Sequence, residues 1–370
     1  MRKVILSLKS AKYPVYVGRE VLNKFPEICK RHGIKSHIAI VTDEIVAKLY
    51  IDEFVGILKK YGFSPDVVVV RAGERSKSLG VLSQVLTQLI QMKLRRDETI
   101  VAFGGGVVGD LAGFASAIYL RGVNLIQFPT TLLAMVDSSI GGKVGINHKL
   151  GKNLIGAFYH PVFVFSDVNF LKTLPKREFI SGFGEIVKYG VIADAKIFEI
   201  VETNFEEILN LDLEIIEDVV FKSIVIKSSV VQRDEKERKL RMILNFGHTI
   251  GHGIEAGLNY KRLKHGEAVM LGMVAESFIA FKRGILSEGD FMRINKVVFN
   301  TGIAFPKKFL GKDVILKHIG YDKKIFSGQR LKMYLPIKIG KMRFCEDVSF
   351  DEIERAIDFL FDPKIKKFAI

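Results

Sequence analysis

The chain has 370 residues, 48% hydrophobic and 26% charged, with 56 Lys and Arg against 41 Asp and Glu for a formal charge of +15. That length suits a globular protein of two domains, and Arg, Asp or Lys breaks every apolar run before it reaches bilayer-spanning length. With only Cys29 and Cys345 present, and an apolar stretch in MRKVILSLKS too short for a secretory signal, the composition argues against a disulfide framework or cysteine zinc site and for a reducing cytoplasm.

The basic excess is spread along the chain and alternates with acids, as in DEKERKLR. No nucleic-acid motif accompanies it, and there is no tryptophan for base stacking. A solvated lysine-rich surface and small anionic ligands explain the charge better than nucleic acid or a membrane partner.

In chain order, HIAIVTD (37–43) and DVVVV (66–70) are short and β-branched, each followed by a helical stretch. ETIVAF (98–103) and NLIQFP (124–129) continue the series. The alternation predicts an α/β domain with a mostly parallel, Rossmann-like sheet and ligands at the carboxyl ends of its strands. Asp43, Glu74, Gly104 and Thr130 all follow strand ends and should converge on one crevice. Gly104, Gly106 and Gly109 form a strand–turn–helix glycine motif suited to a pyrophosphate, with Lys143, Lys149 and Lys152 supplying positive charge nearby. The motif alone is weak, since such turns also serve tight packing. No acid stands about twenty residues beyond it, so Asp43 is the candidate ribose partner.

After about Leu171 helical periodicity dominates, in FGEIVKYGVIADAKIFEIVE, LEIIEDVVFKSIVIKSSVVQRD, FGHTIGHGIEAG and HGEAVMLGMVAESFIAFKRG. The exception is LKMYLPIKIGKMRFCED (331–347), whose alternation about Gly340 reads as a β-hairpin. The expected division is an α/β domain over 1–170 and a mainly helical domain over 171–370, with a cleft between them. His248 and His252 lie four apart on one helix face, His265 follows in HGE, and Glu185 in FGEIVKYG is expected to begin another helix. Two histidines and a carboxylate with an open position suit a hydrolytic-type or Lewis-acid zinc site.

Taken together, GERSK (73–77), GGGVVGDLAGF (104–114), FPTTLLAMVDSSIGGKVGINHKLGKNLIGAF (128–158), FLKTLP (170–175), GEIVKYG (184–190), DEKERKLRMILNFGHTIGHGIEA (234–256) and HGEAV (265–269) resemble the 3-dehydroquinate synthases, members of the sugar-phosphate cyclases, over essentially the whole chain. Ala72 departs from the Asp usual before Gly–Glu, and His160 from the common Gln.

The resemblance implies a dehydroquinate synthase-like fold, NAD and one divalent metal (zinc, or cobalt in its place). The metal would be held by Glu185, His248 and His265. NAD would be contacted by Asp43, by Ala72, Gly73, Glu74, Arg75, Ser76 and Lys77, and by the turn Gly106, Val107, Val108, Gly109 and Asp110. Thr130, Thr131, Lys143, Lys152 and the stretch Phe170, Leu171, Lys172 and Thr173 complete that set. Asp137, Lys143, Asn153, Lys188, Lys227, Arg241, Asn245, His252 and Lys341 would line the substrate pocket. Arg121 would enter the site of a second copy, so a homodimer is implied. The implied reaction converts 3-deoxy-D-arabino-heptulosonate 7-phosphate to 3-dehydroquinate and phosphate, with NAD regenerated in each turnover. Related cyclases such as 2-deoxy-scyllo-inosose synthase, and glycerol-dehydrogenase-like proteins, share that fold, metal and NAD.

Overall fold

The β-branched segments of the first half assemble into one seven-stranded sheet. Its strands are β1 (Arg2–Ser7), β2 (Lys12–Gly18), β3 (His37–Asp43), β4 (Ser64–Val70), β5 (Thr99–Gly104), β6 (Asn124–Pro129) and, after an inserted hairpin of β7 (Lys143–His148) and β8 (Gly151–Phe158), β9 (Phe163–Asp167). The spatial order is β1-β2-β9-β6-β5-β3-β4, parallel throughout except for the antiparallel β1–β2 pair at one edge. The computed structural model describes residues 1–237, 239–258, 262–303, 312–320 and 330–362. These form two compact units, one of Met1–Leu174 with Ile216–Glu235, the other of Pro175–Ile215 with the described residues from Lys236 onward.

The central strands β3, β5, β6 and β9 are buried on both faces, every residue of β5 and β9 included, as expected of a parallel sheet covered on both sides. On one side a cluster of Phe25, Phe54, Phe103, Phe128 and Phe165 packs ring on ring, with centroids about 5 Å apart. On the other, Ala39, Val41, Ile100 and Ala102 meet Val108, Leu111, Ala112 and Ala115 of helix Gly106–Ile118. β3 and β6 match the segments expected from the sequence, while the β1–β2 edge and the β7–β8 hairpin were not legible there. In that hairpin the glycines serve close strand approach: a Cβ on Gly156 would meet Val144 O at 2.2 Å.

His37, at the start of β3, sits between two carboxylates, with Nδ1 2.8 Å from Glu98 and Nε2 2.9 Å from Asp66. Burial alone would depress its pKa, but hydrogen bonds and charge from the two acids outweigh burial and raise it. A raised folded-state value means the stabilisation is fully present below the unfolded pKa, about 6.5, and is lost as pH rises through the folded value. The melting temperature should therefore fall over that window relative to His37→Gln. Parallel pH profiles for the two proteins would exclude the linkage.

In the second unit helix Lys176–Ile192 is buried along almost its whole length, and helix His265–Lys282 is buried from Gly266 through Ser277. Helix Ala195–Thr203 starts afresh after Asp194, whose side chain caps it through Lys196 N at 3.0 Å, so the helical periodicity over 183–202 is divided between two helices. Helices His248–Gly257, Glu288–Asn300 and Phe350–Phe361 surround these. The expected hairpin is present as β10 (Leu331–Lys338) and β11 (Lys341–Val348), and turns at Gly340 with φ of 85°. No helix among the described residues is long and apolar enough to cross a membrane.

Candidate active site

Glycines decide where the second unit's histidines stand. A Cβ on Gly266 would lie 1.8 Å from Ser181 O, and one on Gly272 would lie 1.9 Å from Gly247 O. Helix His265–Lys282 therefore packs backbone to backbone against helix Lys176–Ile192 and against the start of helix His248–Gly257. Glu185 lies in the middle of its helix, not at the start as the sequence suggested. One ligand atom from each of Glu185, His248 and His265 lies within 4.8 Å of the others.

Glu185 is fully buried. Lys188, one turn on, pairs with its carboxylate, yet neither carboxylate oxygen takes part in a hydrogen bond of acceptable geometry. Contact without hydrogen-bonding alignment leaves buried lone pairs, which are costly unless another group uses them. His248 Nδ1 lies 3.2 Å from Phe246 O, and its Nε2 lies 3.5 Å from Glu185 Oε1. Donation from Nδ1 to that carbonyl places the ring's lone pair on the Glu185 side. Burial, with Lys188 and the neighbouring histidines, holds His248 well below the usual histidine pKa, hence neutral. Two imidazoles and one buried carboxylate, ion-paired but without aligned hydrogen bonds, suit a borderline divalent ion such as zinc or cobalt.

The histidine rings of 248, 252 and 265 form a triangle with centroids 5.2–5.4 Å apart. Arg241 is buried in the 3-10 turn Leu240–Asn245, Asn245 is exposed at its end, and Lys341 is exposed at the start of β11. The sequence reading missed two carboxylates in this unit. Glu255 touches His252 and His265. Glu276 accepts from Gly247 N at 2.8 Å and Ile250 N at 3.4 Å, capping the histidine-bearing helix, and burial pushes its pKa up to about 8. The HGIE spacing was a legible signal for Glu255. Nothing in the sequence marked Glu276.

In the first unit the candidate nucleotide residues gather at the carboxyl ends of β3, β4, β5 and β6. Asp43 Oδ1 accepts from Ile45 N at 2.9 Å and Val46 N at 3.1 Å, so one of its oxygens caps the next helix. Ala72 N donates to Glu44 Oε1 at 3.3 Å, and Gly73 turns with φ of 99° into the 3-10 turn Glu74–Ser76, which carries Arg75. Ser76 Oγ ties that turn to Arg71 O at 2.5 Å. Lys77 is buried and donates to Asp110 at 2.6 Å and to the Asn153 side chain. Burial raises the Asp110 carboxyl above its ordinary range, against the pull of Lys77.

Helix Gly106–Ile118 has no side-chain cap at Gly105, leaving its first N–H groups for an anion. Two of its motif glycines also serve packing: a Cβ on Gly106 would meet Ser138 Oγ at 2.9 Å, and one on Gly109 would meet Gln127 Oε1 at 2.8 Å. Val108 is core, and Val107 is half-buried. Thr130 Oγ1 is buried without a hydrogen-bond partner among the described residues, while Thr131 Oγ1 accepts from Ala134 N at 3.3 Å. Phe170 and Leu171 are buried, Phe170 with its ring against Tyr50, Phe103 and Phe128. Thr173 bonds Tyr50, and Lys172 reaches Glu20 at 4.0 Å.

Lys227, on helix Leu213–Arg233, donates to Asp137 O at 2.6 Å and to its carboxylate. It belongs to the first unit. Asn153 has φ of 56°, and its N–H donates to the Asn147 side chain at 2.9 Å. Lys143 starts β7 and Lys152 stands beside Asn153, both exposed. Arg121 is exposed with φ of 65°, after Leu120 at 48°. His160, the departure noted above, stacks on Tyr13 with centroids 5.7 Å apart and lies 3.4 Å from Glu235.

The 3-dehydroquinate synthase N-terminal family model matches residues 67–181, and the corresponding C-terminal model matches residues 182–325. The chain is 44% identical, over 92% of its length and 96% of the other's, to a 3-dehydroquinate synthase of Caldanaerobacter subterraneus subsp. tengcongensis. Among solved structures it is similar to a 2-epi-5-epi-valiolone synthase of Streptomyces hygroscopicus subsp. jinggangensis with NAD⁺ and Zn²⁺ bound, at TM-score 0.86 and 28% identity, covering 96% of this chain and 98% of that one. A 2-deoxy-scyllo-inosose synthase complexed with carbaglucose-6-phosphate, NAD⁺ and Co²⁺ is similar at TM-score 0.83 and 26% identity, covering 96% and 99%.

Proposed function

The chain belongs to the 3-dehydroquinate synthase family, and from that premise we infer that it converts 3-deoxy-D-arabino-heptulosonate 7-phosphate to 3-dehydroquinate and phosphate in the shikimate route to aromatic amino acids. The observation that carries the reading is the buried Glu185 carboxylate, whose ligand atom lies within 4.8 Å of those of His248 and His265. NAD would supply the acceptor and then the donor of a hydride at C5 of the substrate, and a divalent ion would lower the pKa of the hydroxyls around C5.

The residues divide the work by chemistry. Glu185, His248 and His265 hold the ion. Asp43, the 72–77 turn, the 106–110 turn, Thr130, Thr131, Lys152 and the 170–173 stretch hold the dinucleotide, with the uncapped helix start facing its pyrophosphate. Lys143, Asn153, Lys188, Lys227, Arg241 and His252 receive the phosphate and carboxylate, with Asp137, Asn245 and Lys341 fixing the hydroxyls and ring. Arg241 suits planar bidentate recognition of such anions. The β-elimination breaks the C7–O bond as the C6 proton leaves, and a phosphate oxygen, held by these cations, receives it. The elimination product, reduced again at C5, opens and closes to the carbocycle by an intramolecular aldol step. Orientation is the protein's contribution throughout.

This reading makes 1–170 the α/β nucleotide-binding domain and 171–370 the metal- and substrate-binding domain, with Asp137, Lys143 and Asn153 of the first also serving substrate, Leu171–Thr173 of the second serving the dinucleotide, and Lys227 packed with the first unit. We further propose a cytoplasmic homodimer in which Arg121 completes the partner copy's site. Phosphate release from the heptulosonate phosphate should require NAD and yield no net NADH. Stoichiometric NADH would indicate a dehydrogenase, and release from a sugar phosphate lacking the carboxylate would indicate another cyclase.

A further inference from the structure

Glu255 follows His252 by three residues on helix His248–Gly257, and its carboxylate is buried, at 4% exposure. One oxygen, Oε2, lies 2.7 Å from His252 Nδ1 and 3.5 Å from His265 Nδ1. The two rings are stacked, centroids 5.4 Å apart with planes inclined by 29°. His265 comes from a different helix, so this oxygen joins two elements of the second unit at their histidines.

We propose that Glu255 is a positioning residue that holds a metal-ligating imidazole, His265, and a substrate-anion imidazole, His252, through a single carboxylate oxygen. The proposal rests on the metal reading of Glu185, His248 and His265. A carboxylate facing Nδ1 favours the tautomer with its proton there and the lone pair on Nε2, and its charge makes that nitrogen a stronger donor. With both Nδ1 atoms turned to Glu255, both rings present Nε2 outward, His265 to the ion and His252 to an anion. Neither ring is then able to rotate without giving up the contact, so the metal and the anion pocket keep a fixed separation.

Metal uptake separates this role from packing. Chelator-stripped wild type, Glu255→Gln, Glu255→Ala and His248→Ala are titrated with cobalt(II), following its ligand-field absorption, and the melting temperature of each stripped protein is measured. The glutamine variant should bind cobalt about 10–100-fold more weakly, the usual cost of losing an outer carboxylate partner. Its absorption bands should shift while its metal-free melting temperature stays that of wild type. At saturating cobalt it should keep most of its kcat with a raised KM, because His252 is less well held, and alanine should be worse than glutamine on both counts. Unchanged affinity and spectrum, with only a lowered melting temperature, would overturn the proposal in favour of packing. Loss of uptake as complete as in His248→Ala would overturn it by making Glu255 a ligand itself, since His252, Glu255 and His265 also bring ligand atoms within 4.8 Å of one another. A wild-type chain that takes up no cobalt would instead sink the metal reading on which the proposal stands.

Discussion

His248→Ala should retain no zinc through gel filtration and should release phosphate more than about a hundredfold more slowly than wild type. The scale follows from outer-shell partners, whose loss costs about 10–100-fold in affinity or activity, so a ligand itself should cost more. His248 is the cleanest of the three ligands to remove. Its ring is neutral and its Nδ1 partner is a backbone carbonyl, so truncation strands no charge. Glu185→Ala would leave the buried ammonium of Lys188 without its carboxylate, and breaking a buried pair costs about 3–5 kcal/mol of stability. An effect of Glu185→Ala therefore mixes metal loss with unfolding, whereas His248→Ala should melt close to the metal-free wild type. Full zinc occupancy with near-normal turnover in His248→Ala would remove the metal assignment.

The sequence disclosed what depends on local pattern and concealed what depends on distant packing. β3 and β6 were readable because a short β-branched run between polar ends has one economical use in a buried parallel sheet. The four-residue spacing of His248 and His252 was readable because helix geometry converts spacing into a shared face. The hairpin β7–β8 was not, because its Gly145 and Gly156, there for close strand approach, look the same as glycines that cradle an anion. The same ambiguity runs through the 104–109 motif, where Gly106 and Gly109 make tight contacts with Ser138 and Gln127. Glu276 was invisible for a different reason. It caps a helix some twenty-nine residues away by sequence, through a backbone approach that Gly247 and Gly272 permit, and no local pattern encodes that. Lys227 stood in a helix whose periodicity placed it with the helical half, yet it belongs to the sheet unit, where it donates to Asp137 O.

Mixing two inactive variants, Arg121→Ala and His265→Ala, should restore activity if Arg121 works in the partner copy's site. Leu120 and Arg121 hold positive φ of 48° and 65° in succession, before Gly122 at 118°. Each such non-glycine residue costs on the order of 1–3 kcal/mol and persists only where the surroundings impose it. Tyr159 packs at the end of this turn, its hydroxyl donating to Val123 O at 2.6 Å and lying where a Cβ on Gly122 would come within 3.2 Å. The strained turn presents an exposed Arg121 beside exposed Ile118 and Leu120, a combination of apolar surface and cation suited to a twofold copy. The competing account is that Arg121 only complements its own helix end, a favourable effect of about 0.3–1 kcal/mol that needs no strained backbone. Under free exchange about half of all dimers are mixed. In each, the Arg121→Ala chain keeps its three metal ligands and receives the partner's arginine, while the other site lacks both. Recovered activity should approach about a quarter of wild type per subunit, counting one whole site in every mixed dimer. Subunit exchange demonstrated by mass spectrometry, with no gain in phosphate release over either parent, would leave Arg121 a helix-end residue and remove the mechanistic case for the dimer.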